Sequence, residues 1–304
     1  TVSSFLEKTG MAYRYIHQFM EERTEKAKGG KLVIDGTLKD NNSYSNTFSE
    51  FSRKGITKGS KDISLLYSYD LTTKEPVAVK PYPGNMLDLT SVADFVQEFP
   101  VTNSLLVMDK GFYSKGSIAA VRKIPGISYI VPLKSSSSLI TENSMNSNIV
   151  TPLVGYKEKT VLCKKRKLDD SHYLYAFRDP KLAGEQEAVY VASAQKKGSF
   201  SEEKLLGKAD EFGVIVFESN ADLAPLEVYT AYAQRWQIEV MFQLYKGIID
   251  MDTVNVHGDY RLYATEFINF LSVIVASRIK ALLATTIIET KGKGDNVTKI
   301  TVAE

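Results

Sequence analysis

The sequence predicts an α/β protein built on a mixed β-sheet, with a β-rich segment inserted late in the chain. Short apolar, β-branched runs (LVIDGT at 32–37, SLLVMDKG at 104–111, SYIVPL at 128–133, GVIVFESN at 213–220) alternate with stretches of helical spacing. DISLLYSYD (62–70) and EPVAVKPYP (75–83), joined by a short polar turn, read as a hairpin that adds antiparallel strands. Between 134 and 211 the texture changes: serine-rich SSSS and polar NSMNSN lead into the alternating segments TVLCKK, HYLYAF and AVYVAS, all read as strands.

Residues 3–28 place Phe5, Leu6, Met11, Ile16 and Met20 at helical spacing among charges, so one or two helices precede the break at Gly29-Gly30. LVIDGT then forms a short strand with Asp35 near its end, and residues 38–60, rich in Asn, Ser, Gly and Lys, read as a loop. After the hairpin, Pro83-Gly84-Asn85 closes the unit, and Asp88 or Thr90 is placed to cap a helix running to about Glu98. The next strand ends in Asp109; a helix from about Ser114 to Lys123 follows, then the SYIVPL strand. Beyond the insertion and the strand at 213–220, Pro225 starts a long helix reaching about Gly247. A last helical region covers Tyr260 to about Thr290, and KGKGDNVTK reads as a frayed tail.

The 304 residues are 43% hydrophobic and 24% charged, which excludes a disordered or collagen-like chain. With 38 Lys+Arg against 36 Asp+Glu the net charge is only +2, so any nucleic-acid partner must be held by local basic clusters. The lone Cys163 excludes an internal disulfide and a Cys-rich zinc site and suits a reducing compartment. His17, His172 and His257 are scattered, which argues against a zinc centre, and His257 reads as structural. The longest apolar stretch, Phe267–Ala276, carries Asn269 and Ser272 and stops at Arg278; it reads as a buried helix too short to span a bilayer. The opening TVSSFLEKTG is neither a signal nor a transit peptide and lacks an initiator Met, as expected of a fragment or a trimmed chain.

Two carboxylates stand out among the 36 acidic residues. Asp35 and Asp109 each lie at or just past the end of an apolar run and each has a glycine within two residues, which admits a ligand close to the backbone. Strand ends also carry Asp simply because it suits turns. In EVYTAYAQRWQIEVMFQLYKG, Tyr232, Arg235, Glu239 and Lys246 occupy relative positions 0, 3, 7 and 14. On a helix of about 100° per residue these fall at roughly 0, 300, 340 and 320°, one stripe about 60° wide. A carboxylate there can hold a divalent cation and its cationic neighbours can hold phosphates; the bland reading is a solvated face with an Arg235–Glu239 ion pair. Trp236 reads as core rather than as a stacking platform, and Phe112 and Tyr113 as either site rim or packing.

The spacing Tyr232-x2-Arg235-x3-Glu239-x6-Lys246 resembles the Tyr-Arg-Glu-Lys signature of bacterial insertion-sequence transposases in the Asp-Asp-Glu superfamily. LVIDGT, LLVMDKGFYS, FESNADLAPLEVYTAYAQRWQIEVMF, PGNMLD and FINFLSVIVASRI are similar to that group's words, over about residues 30 to 280. Lys110 stands where the group's pattern also allows Arg. The resemblance implies an RNase H-like mixed sheet flanked by helices, with a β-rich insertion between the second Asp and the Glu. Its divisions would be 1–30 as an N-terminal helical segment, 31–133 with 212–290 as the core, 134–211 as the insertion and 291–304 as a tail. It also implies that Asp35, Asp109 and Glu239 are the catalytic, metal-holding triad for two Mg²⁺ ions, with Mn²⁺ able to substitute, and that Tyr232, Arg235 and Lys246 hold phosphates near the transposon end. The activity so implied is hydrolysis at transposon ends and strand transfer into target DNA. A homodimer in a synaptic complex, a cytoplasmic, nucleoid-associated bacterial setting and no membrane partner go with it.

DNA contact is expected from Lys164-Lys165-Arg166-Lys167 in the insertion, from Lys196-Lys197, and from Arg53, Lys54, Lys58 and Lys61. Each such run can also be a merely solvated face. Only about 30 residues precede LVIDGT, where the group carries a DNA-recognition region. A catalytic core without that arm is therefore expected, and a non-catalytic DNA-binding remnant or an RNase H-like nuclease without strand transfer are the alternatives.

Overall fold

The computed structural model describes residues 1–52, 59–86, 89–99, 102–113, 115–248, 251–285, 287–291 and 297–301. Helices α1 (Val2–Met11) and α2 (Tyr13–Lys26) open the chain, followed by strands β1 (Lys31–Asn41), β2 (Asp62–Asp70) and β3 (Glu75–Pro83). Helix α3 (Leu89–Glu98), β4 (Leu105–Met108), a 3-10 turn at Lys110–Phe112, α4 (Lys115–Arg122) and β5 (Ser128–Pro132) come next. The inserted region holds α5 (Ser138–Glu142), β6 (Thr151–Pro152), β7 (Leu162–Asp169), β8 (His172–Arg178), α6 (Pro180–Lys196) and α7 (Glu202–Lys208). Then follow β9 (Val214–Ser219), α8 (Pro225–Ala233), α9 (Trp236–Gln243), a π-helical turn at Leu244–Ile248 and β10 (Thr253–Val254). Helix α10 (Asp259–Thr285) and strands β11 (Ile287–Lys291) and β12 (Val297–Thr301) complete the chain.

These elements form two compact units: Thr1–Ala27, Asp35–Leu87 and Trp236–Glu304 make the first, Lys28–Ile34 and Asp88–Arg235 the second. In the second unit, Lys31–Ile34 of β1 pairs in parallel with β4, and β4 in parallel with β5. The sheet continues antiparallel through β9, β8, β7 and β6. Its parallel strands are unbroken apolar runs, with Leu32, Val33, Ile34, Leu106, Val107, Tyr129 and Ile130 all buried, as strands covered on both faces require. The insertion extends this sheet, and Leu133, Ile140, Met145, Ile149, Leu174, Ala176 and Val216 build a core of their own beneath it.

In the first unit the order is β3-β2-β1, with β10 running parallel to the end of β1 in the register Asp40 to Thr253. Every residue of β2 is buried, and Tyr67 at its centre meets the rings of Phe242, Tyr245 and Phe270. Helix α10 packs on α1 and β3. Gly10 is where α1 and α10 touch: a Cβ there would lie 1.7 Å from the Tyr260 carbonyl oxygen, so only glycine allows the approach.

The structure corrects several sequence expectations. AVYVAS is not a strand but part of α6, because Asp179 caps that helix by accepting from the Lys181 and Leu182 amides and Pro180 fills its first turn. The insertion is therefore strand-rich only up to Arg178, and the helices Pro180–Lys196 and Glu202–Lys208 follow. Strand β1 runs on to Asn41 rather than ending at Thr37, since its last residues gain β10 and the Lys61 carbonyl as hydrogen-bond partners. The helix expected from Pro225 to Gly247 is interrupted at Gln234-Arg235, where the Arg235 amide donates to Tyr232 in a tightened three-residue bond. The last helix stops at Thr285, and its β-branched continuation IIETK pairs with VTKIT as a hairpin instead of extending the helix or fraying. Helix α10 has 27 residues and, by length and composition alone, is long and apolar enough to cross a membrane; its most apolar stretch is largely not buried. Residues 53–58, with Arg53, Lys54 and Lys58, and the cap candidate Asp88 lie outside the described residues.

Glu75 fastens three elements of the first unit. Its carboxylate accepts from Arg278 at 2.8 and 3.1 Å and from Arg23 at 3.0 Å. The Arg278 hydrogen bond, with Arg23 adding to it, holds the Glu75 pKa below its ordinary 4.5 against the opposing effect of burial. A depressed carboxylate stabilises the fold fully above its unfolded pKa and loses that contribution as pH falls through the folded value. Glu75→Gln is thus expected to lower the melting temperature at pH 7 by about 2–4 °C, the scale of a 1 kcal/mol loss. The difference from wild type should shrink as pH falls below 4.5 in a series of thermal melts.

Candidate active site

Strand β1 carries Asp35, Thr37 and Lys39 at alternate positions, which places their side chains on one face. Asp35 is held by its own neighbour: Oδ1 accepts from the Gly36 amide at 2.8 Å. Glu239 lies on α9, whose Ile238 and Met241 are buried while Glu239 itself is exposed. Thr37, Glu239, Phe242, Gln243 and Lys246 line an open groove of about 580 Å³. Glu239 thereby stands at the groove shared by the residue two along from Asp35. Lys246 donates to the Leu38 carbonyl at 2.8 Å, and burial, partly offset by Asp252, pulls its pKa below the ordinary value.

The second unit gathers the other marked residues. Asp109 follows β4 directly and precedes the 3-10 turn that buries Phe112. Arg235 Nη2 approaches Asp109 Oδ1 at 3.9 Å and its guanidinium lies 5.6 Å from the Tyr232 ring centroid. Tyr232 packs edge-on against Phe217 of β9, 4.7 Å between centroids. Tyr232 and Arg235 thus stand near Asp109, and Lys246 bonds to the strand of Asp35. Trp236, expected in the core, is 58% exposed.

All three carboxylates are oxygen donors, which suits a hard cation such as Mg²⁺ or Mn²⁺ and not zinc. Among the described residues, no group of three or more His, Cys, Asp or Glu stands assembled to hold an ion. Asp35 and Glu239 belong to the first unit and Asp109 to the second.

The basic run of the insertion alternates along β7. Lys164 donates to the Ser144 and Ser147 carbonyls and Arg166 to that of Asn143, all on the segment after α5. On the other face Lys165 pairs with Asp222 and donates to the Leu223 carbonyl, while Lys167 pairs with Asp170 at 2.7 Å. Each of the four has an internal partner, which composition does not reveal.

Sequence reasoning also missed a polar cluster in the second unit. Glu218 is buried and accepts from Arg122 and from the Tyr129 hydroxyl, each at 2.9 Å, with His172 Nε2 3.3 Å away. Together with Tyr113 and the serines at 136–138, Glu218, Arg122 and His172 border a cavity of about 850 Å³. Burial and the Glu218 charge push the Tyr113 hydroxyl up to about 12. The only sequence signal was a glutamate within the apolar run VIVFES, where an unpaired charge would be costly.

The fold is a mixed α/β sheet in which Asp35 lies on β1 and Asp109 directly follows β4. Residues 26–272 match the model of the transposase DDE domain, and the chain belongs to that family. Among solved structures it is similar to a piggyBac transposase in a synaptic complex with hairpin DNA, at 11% identity over 85% of this chain and 55% of that one, TM-score 0.45. It also matches a Mos1 transposase in a paired-end complex with the left transposon end, at 8% identity over 41% of each chain, TM-score 0.23. The matched region spans 55% of the first of these chains and 41% of the second. A comparison with curated proteins finds no match.

Lys165→Ala is expected to destabilise the second unit by about 1–2 kcal/mol, because it releases Asp222 and the Leu223 carbonyl together. Lys167→Ala, whose partner lies in the adjoining turn and is fully exposed, should unfold together with wild type. Chemical denaturation measures both.

Proposed function

We propose that this chain is the catalytic core of a bacterial insertion-sequence transposase of the Tyr-Arg-Glu-Lys group, in which Asp35, Asp109 and Glu239 hold two Mg²⁺ ions. Membership of the transposase DDE domain family supports the reaction class. The observation that carries the residue assignment is the groove shared by Glu239, Lys246 and Thr37 on the strand of Asp35. When bound, the metal ions would supply charge stabilisation at both the attacking and the leaving oxygen of a phosphodiester.

The protein's own residues have separate tasks in this reading. The carboxylates of Asp35, Asp109 and Glu239 provide the oxygen ligands. Arg235, stacked on Tyr232, offers a forked guanidinium to a phosphate of the transposon end. Lys246, its ammonium close to the groove, offers a point charge to a second phosphate. In the first step water attacks phosphorus and the P–O3′ bond breaks, leaving a 3′-hydroxyl and a 5′-phosphate. In strand transfer that 3′-hydroxyl loses its proton, attacks a target phosphodiester and displaces the target's own 3′-oxygen. Transposon-end and target DNA are then the partners, a homodimer assembles them, and a cytoplasmic, nucleoid-associated setting follows.

Glu239→Gln removes one ligand charge from an exposed side chain, so it is expected to reduce Mg²⁺-dependent nicking of end-containing DNA at least 10³-fold, about 4 kcal/mol of barrier. Its melting temperature should stay within about 2 °C of wild type. Nicking that persists at the wild-type rate in this variant would remove Glu239 from the site. Chelation with EDTA should abolish cleavage, and added Mg²⁺ or Mn²⁺ should restore it.

A further inference from the structure

The first unit contains a charged cluster that none of these roles uses. Lys39 and Glu266 are each about 1% exposed and form an ion pair at 2.7 Å. The Tyr245 hydroxyl joins both, accepting from Lys39 at 2.9 Å and donating to Glu266 Oε2 at 2.7 Å, and Asn269 closes the ring at 3.4 Å to the same carboxylate oxygen. The three principal members come from β1, from the π turn and from α10. A buried ion pair is a poor source of stability, because desolvation of both charges offsets most of their attraction. What it supplies is direction: three short bonds are satisfied in only one register.

That register bears on the proposed metal site. Lys39 lies on the same face of β1 as Asp35, four residues or about 13 Å further along. Tyr245 follows Glu239 by six residues, about 9 Å of helix. Fastening Tyr245 over Lys39 therefore lays the preceding turns of α9 back along β1 toward Asp35, and Glu239 does share its groove with Thr37. The adjacent residue, Lys246, adds a second bond to the same strand through the Leu38 carbonyl.

We propose that Lys39, Tyr245 and Glu266 form a positioning clamp that sets where Glu239 stands over the strand bearing Asp35. The inference rests on the metal-holding role proposed for those two carboxylates. The clamp residues touch neither substrate nor ion; they act through the α9 segment. A slide of one residue along β1 would move Glu239 by about 3.3 Å relative to Asp35, more than the length of a metal–carboxylate bond.

The test uses the full chain and Mn²⁺ alone, with free ion followed by electron paramagnetic resonance. Wild type is compared with Glu239→Gln, Glu266→Gln, Tyr245→Phe and the triple variant Lys39→Met/Tyr245→Phe/Glu266→Leu. Replacing a buried ionic cluster with apolar side chains of similar volume is often neutral or stabilising, so the triple variant should melt at or near the wild-type temperature. It is nevertheless expected to bind Mn²⁺ at least tenfold more weakly and to show faster amide exchange across residues 236–248. A triple variant that binds Mn²⁺ as wild type does would overturn the clamp and leave a merely structural cluster. If that variant fails to fold, Tyr245→Phe, which deletes one oxygen, carries the same expectation of weakened Mn²⁺ binding and the same refutation. Equal Mn²⁺ binding by wild type and Glu239→Gln would defeat the metal-site reading, and the clamp with it. Loss of Mn²⁺ in Glu239→Gln with full retention in the clamp variants would defeat the clamp alone.

Discussion

A lysine ammonium and a glutamate carboxylate shut away from water determine how the first unit is put together. Leaving either charge buried and unpaired would cost several kcal/mol, so Lys39, Glu266 and the Tyr245 hydroxyl are held together wherever the two charges are buried. Apolar packing alone would tolerate small slides of helix against strand, because dispersion contacts have little direction. The rings of Phe242 and Phe270 around Tyr67 supply that undirected burial. The ionic ring supplies alignment, and the groove beside Glu239 inherits it.

The parts of the fold visible in the sequence are those with local signals. Strands β4, β5 and β9 are short apolar runs ended by polar residues, and Asp109 is marked by its place at the end of one of them. Asp35 was visible for the same reason, although its strand is longer than it looks. Lys39, Asp40 and Asn41 have the composition of a loop, and distant partners, β10 more than 200 residues further on and the Lys61 carbonyl, extend the strand through them. Lys39 gave no hint of burial, because its partner Glu266 is 227 residues away. The signature helix misled for a different reason. Its apolar periodicity is continuous through Gln234 and Arg235, so nothing in the pattern marks the tightened turn between α8 and α9. AVYVAS shows that alternation over six residues is weak evidence beside a capped Asp-Pro start.

Charge tells a similar story about totals and places. A net +2 hides four consecutive basic residues, yet the strand's two-residue period sends them alternately to carbonyls on one face and to carboxylates on the other. Those cations hold the insertion's loops to its sheet. A phosphate backbone could engage them only by competing with bonds already made, which gives the exposed Lys167 the least to lose.

The π turn at Leu244–Ile248 has a consequence for how the signature spacing is read. A π turn is an α-helical segment lengthened by one residue, so the peptide units on either side of it are rotated out of phase. The interval between Glu239 and Lys246 consequently records chain length and not an angle around a cylinder. Insertions and deletions in this stretch are then unequal in effect to substitutions: removing one residue would restore regular geometry while pulling Tyr245 away from Lys39.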